Sequence, residues 1–160
     1  MTIQRRQAPA DTPAEQSKEN VRVIFVCTGN SARSQMAEAL LRHDGGRRFE
    51  VVSAGVDPRG VHPMTIAALD KIGIDIRDAR SKSVGEFLGQ RFDYAITVCD
   101  RARATCPVFP GGGETLHWGI DDPAEATGTE AARQAAFDRA LRELAGRIQA
   151  FVPLATRRQP

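Results

Sequence analysis

The stretch Cys27-Thr28-Gly29-Asn30-Ser31-Ala32-Arg33-Ser34 sets a thiol six residues ahead of a guanidinium, with small and turn-forming residues between them. Such a loop can curl so that its backbone N–H groups converge on a tetrahedral oxyanion, assisted by the positive end of a following helix. Gly29 would permit close backbone approach, and Asn30 tolerates the left-handed conformation that the curl needs. Arg33 offers a fork for two oxyanion oxygens. Cys27 would lie at the centre of this positive field, which favours its thiolate, and Ser34 can donate its hydroxyl to the sulfur. The chemistry is a thiolate aimed at a bound oxyanion. By itself Cys-x5-Arg could also be a buried strand-end cysteine beside an ordinary helix cap. The Gly-Lys-Ser/Thr ending of a nucleotide-binding loop is absent.

A second motif supplies an acid. Attack by a thiolate on a phosphate-like centre expels an oxygen, which leaves more easily when protonated. Asp121-Asp122-Pro123 offers Asp122, its presentation stiffened by the proline. Taken alone, these aspartates would read as a turn or a helix cap. A third motif is a thiol pair, Cys99 and Cys106. A phosphatase needs one cysteine, whereas a reductase needs a pair to donate two electrons, and exchange would run from Cys27 to Cys99 to Cys106. A helix over residues 101–105 would hold Cys99 and Cys106 nearly two turns apart, roughly 10 Å along the axis. A disulfide needs Cα atoms within about 7 Å. A bond between them therefore requires this segment to unwind or fold back, which predicts a mobile loop. Two buried apolar cysteines are the plainer alternative, and a zinc site does not fit the spacing.

The elements that must position these residues follow from hydrophobic patterning. Val21-Arg22-Val23-Ile24-Phe25-Val26 suits a strand buried on both faces of a parallel sheet. A helix starts at Arg33-Ser34, with Met36, Ala37, Leu40 and Leu41 on one face, and stops at Gly45-Gly46. A short strand runs from Glu50 to Ala54. A helix opened by Pro63 buries Ile66, Leu69 and Ile72 and ends at Gly73. Further strands run from Phe92 to Val98 and from Thr115 to His117. Phe137, Leu141, Leu144, Ile148 and Phe151 mark an amphipathic final helix. This alternation predicts one doubly wound α/β domain with a small four-stranded parallel sheet, and ligand chemistry at the carboxyl ends of its strands. The domain is expected over residues 21–155, with a flexible tail over 1–20 and a frayed one over 156–160.

Composition bounds the function. The chain has 160 residues, 26% of them charged, and a net charge of +2. One domain of this size supports a real core. Its basic residues are nineteen dispersed arginines plus Lys18, Lys71 and Lys82, which gives no nucleic-acid footprint. No apolar run reaches membrane-spanning length or resembles a signal peptide. A cytoplasmic, reducing location is expected, and three cysteines suit one reactive thiol plus one redox pair. Of the histidines, His43 is expected on an exposed helix face, His62 as a cap, and His117 packed with Trp118 beneath the acid loop.

The motifs Cys27 to Glu38, Ser53-Ala54-Gly55, Cys99…Cys106-Pro107 and His117-Trp118-Gly119-Ile120-Asp121-Asp122-Pro123-Ala124 closely resemble, in order, those of the thioredoxin-coupled arsenate reductases. That family shares the fold of low-molecular-weight protein tyrosine phosphatases. The resemblance implies that Cys27 attacks arsenate to form a thiol–arsenic adduct. Thr28, Gly29, Asn30, Ser31, Ala32 and Arg33 would bind the oxyanion, Ser34 would stabilise the thiolate, and Asp122 would protonate the leaving oxygen. Cys99 would then attack Cys27 and release arsenite. Cys106 would attack Cys99, and thioredoxin would reduce the resulting disulfide. Phosphate or sulfate would occupy the same site, no bound cofactor is implied, and a monomer is expected.

Two departures matter. Ala32 stands where many members carry another cysteine, which has no required role in the relay. Some members hold potassium beside the loop through Asn, Glu, Ser and Asp. Asn30, Glu38 and Ser53 match, but Lys82 replaces the aspartate, so its ammonium is expected to take the cation's place, with no metal required. Two competitors remain at this stage. A phosphatase would need only Cys27, Arg33 and Asp122, but Ala124 stands where its relatives usually place an aromatic residue that stacks on the substrate ring. A non-enzymatic anion or thiol sensor would have no use for Asp122.

Overall fold

The computed structural model describes residues 20–157. The expected tail over residues 1–20 lies, apart from Asn20, outside the described residues, as do residues 158–160.

Four strands form one parallel sheet: β1 (Val21–Cys27), β2 (Phe49–Gly55), β3 (Tyr94–Thr97) and β4 (Glu114–His117). Four helices join or follow them: α1 (Arg33–Gly45), α2 (Pro63–Asp70), α3 (Asp100–Thr105) and α4 (Glu130–Arg157). The spatial order is β2-β1-β3-β4. From β1 the chain crosses by α1 to one neighbour and later returns to the other. The point between β1 and β3 is therefore where the order reverses, and loops leaving the two strands diverge there into a crevice. The register sets Val26 against Thr97, so Cys27 at the end of β1 and Cys99 just beyond β3 open onto that crevice.

Both faces of the sheet are covered. Val21, Val23, Ile24, Phe25 and Val26 have no exposed surface, which explains the apolar run of β1, broken only by Arg22. Met36, Ala37 and Leu41 bury the inner face of α1, and Phe137, Leu141, Leu144, Ile148 and Phe151 bury that of α4. Phe151 meets the rings of Tyr94, Trp118 and Phe49, tying the last helix to three strands or their ends.

Several boundaries differ from expectation; β3, expected from Phe92 to Val98, is confined to Tyr94–Thr97, whereas β2 and β4 each begin one residue early. Helix α2 ends at Asp70 and buries Thr65, Ala68 and Leu69; Ile66 is only half-buried. Ile72 is 52% exposed, because the chain turns off the helix through Gly73 at φ 82° and carries Ile72 past the core face. Thr156 and Arg157, expected in a frayed tail, extend α4, and Thr156 Oγ1 donates to the Val152 carbonyl at 2.8 Å. Residues 100–105 form the short helix α3, the arrangement considered for 101–105, with Cys99 before it, Cys106 after it and all three cysteines free. No helix among the described residues is long and apolar enough to cross a membrane.

Candidate active site

The loop after β1 wraps round the Cys27 sulfur. The Asn30 backbone N–H donates to Sγ at 3.2 Å, and Ser34 Oγ lies 2.8 Å from it. Asn30 takes φ 47°, the left-handed conformation anticipated for it. It is the only described residue other than glycine with positive φ. Its side chain points away from the cavity and is wholly buried. There its Nδ2 donates to Ser34 Oγ at 2.8 Å and to Ser53 Oγ at 2.9 Å. Its Oδ1 accepts from Gln35 Nε2 and the Lys82 backbone N–H, each at 2.8 Å. These bonds fix the amide's orientation and hence the proton order. Ser34, already accepting from Asn30, has its own proton free for the Cys27 sulfur. Ser53 in turn donates to Glu38 Oε1 at 2.6 Å.

Glycine serves the loop from outside it. Gly29 has room for a Cβ, whose nearest neighbour would be Arg59 Cδ at 3.5 Å. Gly55, at the end of β2, has none: a Cβ there would lie 2.6 Å from the Thr28 carbonyl and 2.8 Å from the Asn30 nitrogen. Within the protein, the close approach expected of Gly29 is therefore made at Gly55. Further clamps come from the Ser81 hydroxyl to the Gly29 carbonyl, and from Thr65 Oγ1 and the His62 N–H to the Ser31 carbonyl.

A cavity of about 730 Å³ opens above the sulfur. Cys27, Thr28, Gly29, Ser31, Ala32 and Arg33 line it, and Cys99 and Asp122 face it from neighbouring loops. Asn30 and Ser34 stand behind it, and Cys106 lies outside its lining. The Arg33 side chain is 11% exposed; Nη1 donates to the Ile120 carbonyl at 2.9 Å and Nη2 lies 3.5 Å from Asp122 Oδ2. Asp122 also caps a short turn, its Oδ1 accepting from the Ala124 N–H at 3.0 Å. The cap and the contact with Arg33 thus use different oxygens of one carboxylate.

Thr28 Oγ1 lies 3.3 Å from Cys99 Sγ, a contact that no spacing in the sequence foreshadowed. Arg59 and His62 also line the cavity and were not anticipated there. Arg59 carried no signal, whereas His62 was expected as a cap and is one, its Nδ1 accepting from the Met64 N–H at 3.0 Å. Burial, reinforced by the nearby Arg133, pulls the His62 imidazole below its ordinary range. Burial alone pushes the Cys106 thiol up. Among the described residues, no group of three or more His, Cys, Asp or Glu side chains is placed to hold a metal ion. Lys82 Nζ lies 3.5 Å from Glu38 Oε1 and donates to the Arg80 carbonyl at 3.0 Å.

This geometry belongs to a known group. The family model for low molecular weight phosphotyrosine protein phosphatase matches residues 22–156. An arsenate reductase of Halalkalibacterium halodurans is 43% identical over 129 residues, covering 81% of this chain and 93% of that protein. The chain belongs to this phosphatase family and, within it, to the arsenate reductases. A solved arsenate reductase in a phosphate-binding state superposes with a TM-score of 0.69 at 26% identity, covering 84% of this chain and 98% of that one. A thioredoxin-dependent arsenate reductase of Corynebacterium glutamicum gives a TM-score of 0.58 at 31% identity, covering 87% of this chain and 67% of that one. The expected fold, a single α/β sheet of the low-molecular-weight phosphatase type, is the one found, and Cys27, Arg33 and Asp122 line one cavity.

Proposed function

We propose that this reductase converts arsenate to arsenite by a three-thiol relay whose last disulfide is reduced by thioredoxin, in cytoplasmic arsenic detoxification. The Cys27 thiolate attacks the arsenic of arsenate held by the loop amides and Arg33. Asp122 gives its proton to the departing oxygen, which leaves as water, and a Cys27–arsenic bond forms. The Cys99 thiolate then attacks Cys27 Sγ. The sulfur–sulfur bond forms as the sulfur–arsenic bond breaks, and its electron pair stays on arsenic, so As(V) leaves as As(III). The Cys106 thiolate attacks Cys99 and frees Cys27. A thioredoxin dithiol reduces the Cys99–Cys106 disulfide and is itself oxidised.

The observation that carries this reading is the position of Cys99, across the cavity from Cys27 and 3.3 Å from the Thr28 hydroxyl of the same anion loop. A hydrolase has no use for a second thiol there. The relative from Corynebacterium glutamicum supports thioredoxin as the donor. Arsenate shares its charge and shape with phosphate, so slow hydrolysis of small aryl phosphates is a side activity of the same Cys27, Arg33 and Asp122. We take the working unit to be a monomer.

The deciding experiment couples arsenate-dependent NADPH oxidation to thioredoxin and its reductase, with phosphate-only and enzyme-free controls. Turnover that disappears in Cys27→Ser, Cys99→Ser and Cys106→Ser supports the relay. No turnover with thioredoxin, together with hydrolysis of an aryl phosphate, moves the function to a phosphatase.

A further inference from the structure

His117 ends β4 directly opposite Thr97 in the parallel register. Its ring reaches in two directions. Nδ1 lies 2.8 Å from Thr97 Oγ1, and Nε2 lies 3.1 Å from Asp100 Oδ1. Thr97 is the last residue of β3, two before Cys99, and Asp100 is the first of α3, one after it. One imidazole therefore spans the segment that carries the resolving thiol, joining the strand before it to the helix after it. A carboxylate only accepts, so Nε2 carries a proton in this bond. Nδ1 can accept from the Thr97 hydroxyl, or, in the imidazolium, donate to it while that hydroxyl donates to the Leu116 carbonyl 3.4 Å away. The bridge persists in both charge states.

Neither contact is needed to fill the core. The Asp100 side chain is 93% exposed, and the histidine ring is 19% exposed. What the bridge does fix is the direction in which the chain leaves β3. That direction decides whether the Cys99 sulfur faces the anion loop, where Thr28 Oγ1 meets it and the Ala102 N–H donates to it at 3.4 Å.

We propose that His117 is a positioning residue for the second chemical step, acting through Asp100 to hold Cys99 in line with Cys27. The proposal rests on the relay described above, in which Cys99 attacks Cys27. It makes a prediction opposite to simple electrostatics. Removing the Asp100 carboxylate from beside a thiolate would, by charge alone, make that thiolate easier to form and speed its attack. Loss of the bridge slows it.

The test is single-turnover arsenite release from the fully reduced full-length enzyme mixed with excess arsenate, without thioredoxin, in Asp100→Ala, His117→Phe and the double variant. Aryl phosphate hydrolysis, which uses Cys27 but not Cys99, is measured alongside. Each single variant is expected to slow release about threefold, the scale of an exposed ion pair, with aryl phosphate hydrolysis unchanged. The double variant should be no slower than either single one. Asp100→Asn, whose amide oxygen still accepts from Nε2, should keep most of the wild-type rate. Release at or above the wild-type rate in Asp100→Ala, equal slowing of both reactions, or additive effects in the double variant would overturn the proposal. Should His117→Phe fail to fold, Asp100→Ala and Asp100→Asn at an exposed position still decide it. Cys99→Ser separates the two levels: arsenite release persisting in that variant sinks the relay itself, whereas release lost there but unaffected by Asp100→Ala sinks only the role of His117.

Discussion

The Asn30 side-chain amide donates to the Ser34 hydroxyl at 2.8 Å, and that hydroxyl lies 2.8 Å from the Cys27 sulfur. An amide with no exposed surface thus decides which way a serine proton points. Hydrogen bonds to charged groups contribute about 1.5–3 kcal/mol, or roughly ten- to a hundredfold in rate. Ser34→Ala is expected to lower arsenate turnover by that factor with little change in the urea midpoint. Asn30→Ala should lower both, since it also strips a partner from Ser53 and the Lys82 N–H. Unchanged turnover in Ser34→Ala would remove the serine from the mechanism.

Asp122→Asn separates acid from cap. Asparagine can still accept the Ala124 N–H, now bonded to Oδ1 at 3.0 Å, but it has no proton to give. Loss of a general acid costs about a hundred- to ten-thousandfold. The expected result is a large fall in kcat with an unaltered circular dichroism spectrum and melting profile. A variant with near-normal kcat would return Asp122 to a capping role.

Gly55→Ala tests the approach of β2 to the anion loop. The added methyl would meet the Thr28 carbonyl at 2.6 Å and the Asn30 nitrogen at 2.8 Å, both backbone atoms. Overpacking of this kind costs about 1–3 kcal/mol. Because the atoms displaced belong to the anion loop, arsenate turnover should fall in parallel with stability in urea denaturation. A stable, fully active Gly55→Ala enzyme would show that the loop yields there.

Burial raises the Cys106 thiol, so at neutral pH it is mostly protonated. In the proposed relay its attack on Cys99 requires the thiolate. The step that frees Cys27 should therefore accelerate with pH from about pH 7 to pH 9, approaching tenfold per unit while the thiolate is the minor form. Trapping the free thiols at intervals after a single turnover measures it. A rate independent of pH over this interval would mean that another step governs the resolution.

Lys82 Nζ and Glu38 Oε1, 3.5 Å apart with side chains only 13% and 14% exposed, set a tethered cation behind Ser53 and Asn30. Steady-state kinetics in potassium and sodium salts of equal ionic strength should coincide. Lys82→Ala, which leaves Glu38 one cation short, should reduce turnover. A potassium-specific rise in the wild-type enzyme would refute the tethered-cation reading.

The shape of the loop from Cys27 to Ser34 was legible because each of its parts has a local signature. A β-branched run marks β1, Asn30 marks a left-handed turn, and Arg33 and Ser34 follow at fixed offsets. The placement of Asp122 at the cavity was legible only in company with that loop, since Asp-Asp-Pro alone reads as a cap. Contacts that join residues far apart in the chain left no such signal. Thr28 meets Cys99 across 71 positions because β1 and β3 are neighbours, a fact of topology rather than of spacing. Gly55 was read as the end of a strand and as part of the Ser53-Ala54-Gly55 motif, but not for its steric role, which appears once the loop lies against it. Ile72 misled for the opposite reason: its helical spacing continued past the point where Gly73 turned the chain away.

The chain has one tryptophan, and its placement has an optical consequence. Trp118 is buried with its ring centroid 5.8 Å from those of Phe25 and Phe151, directly after His117, and its backbone N–H donates to the Thr97 carbonyl at 2.8 Å. Its emission therefore comes from a single site, beside the residues that frame α3. In the proposed relay, joining Cys99 to Cys106 would refold that helix, so a change of Trp118 emission on oxidation is expected. Stopped-flow emission would then time the proposed relay in the unlabelled enzyme, turnover by turnover.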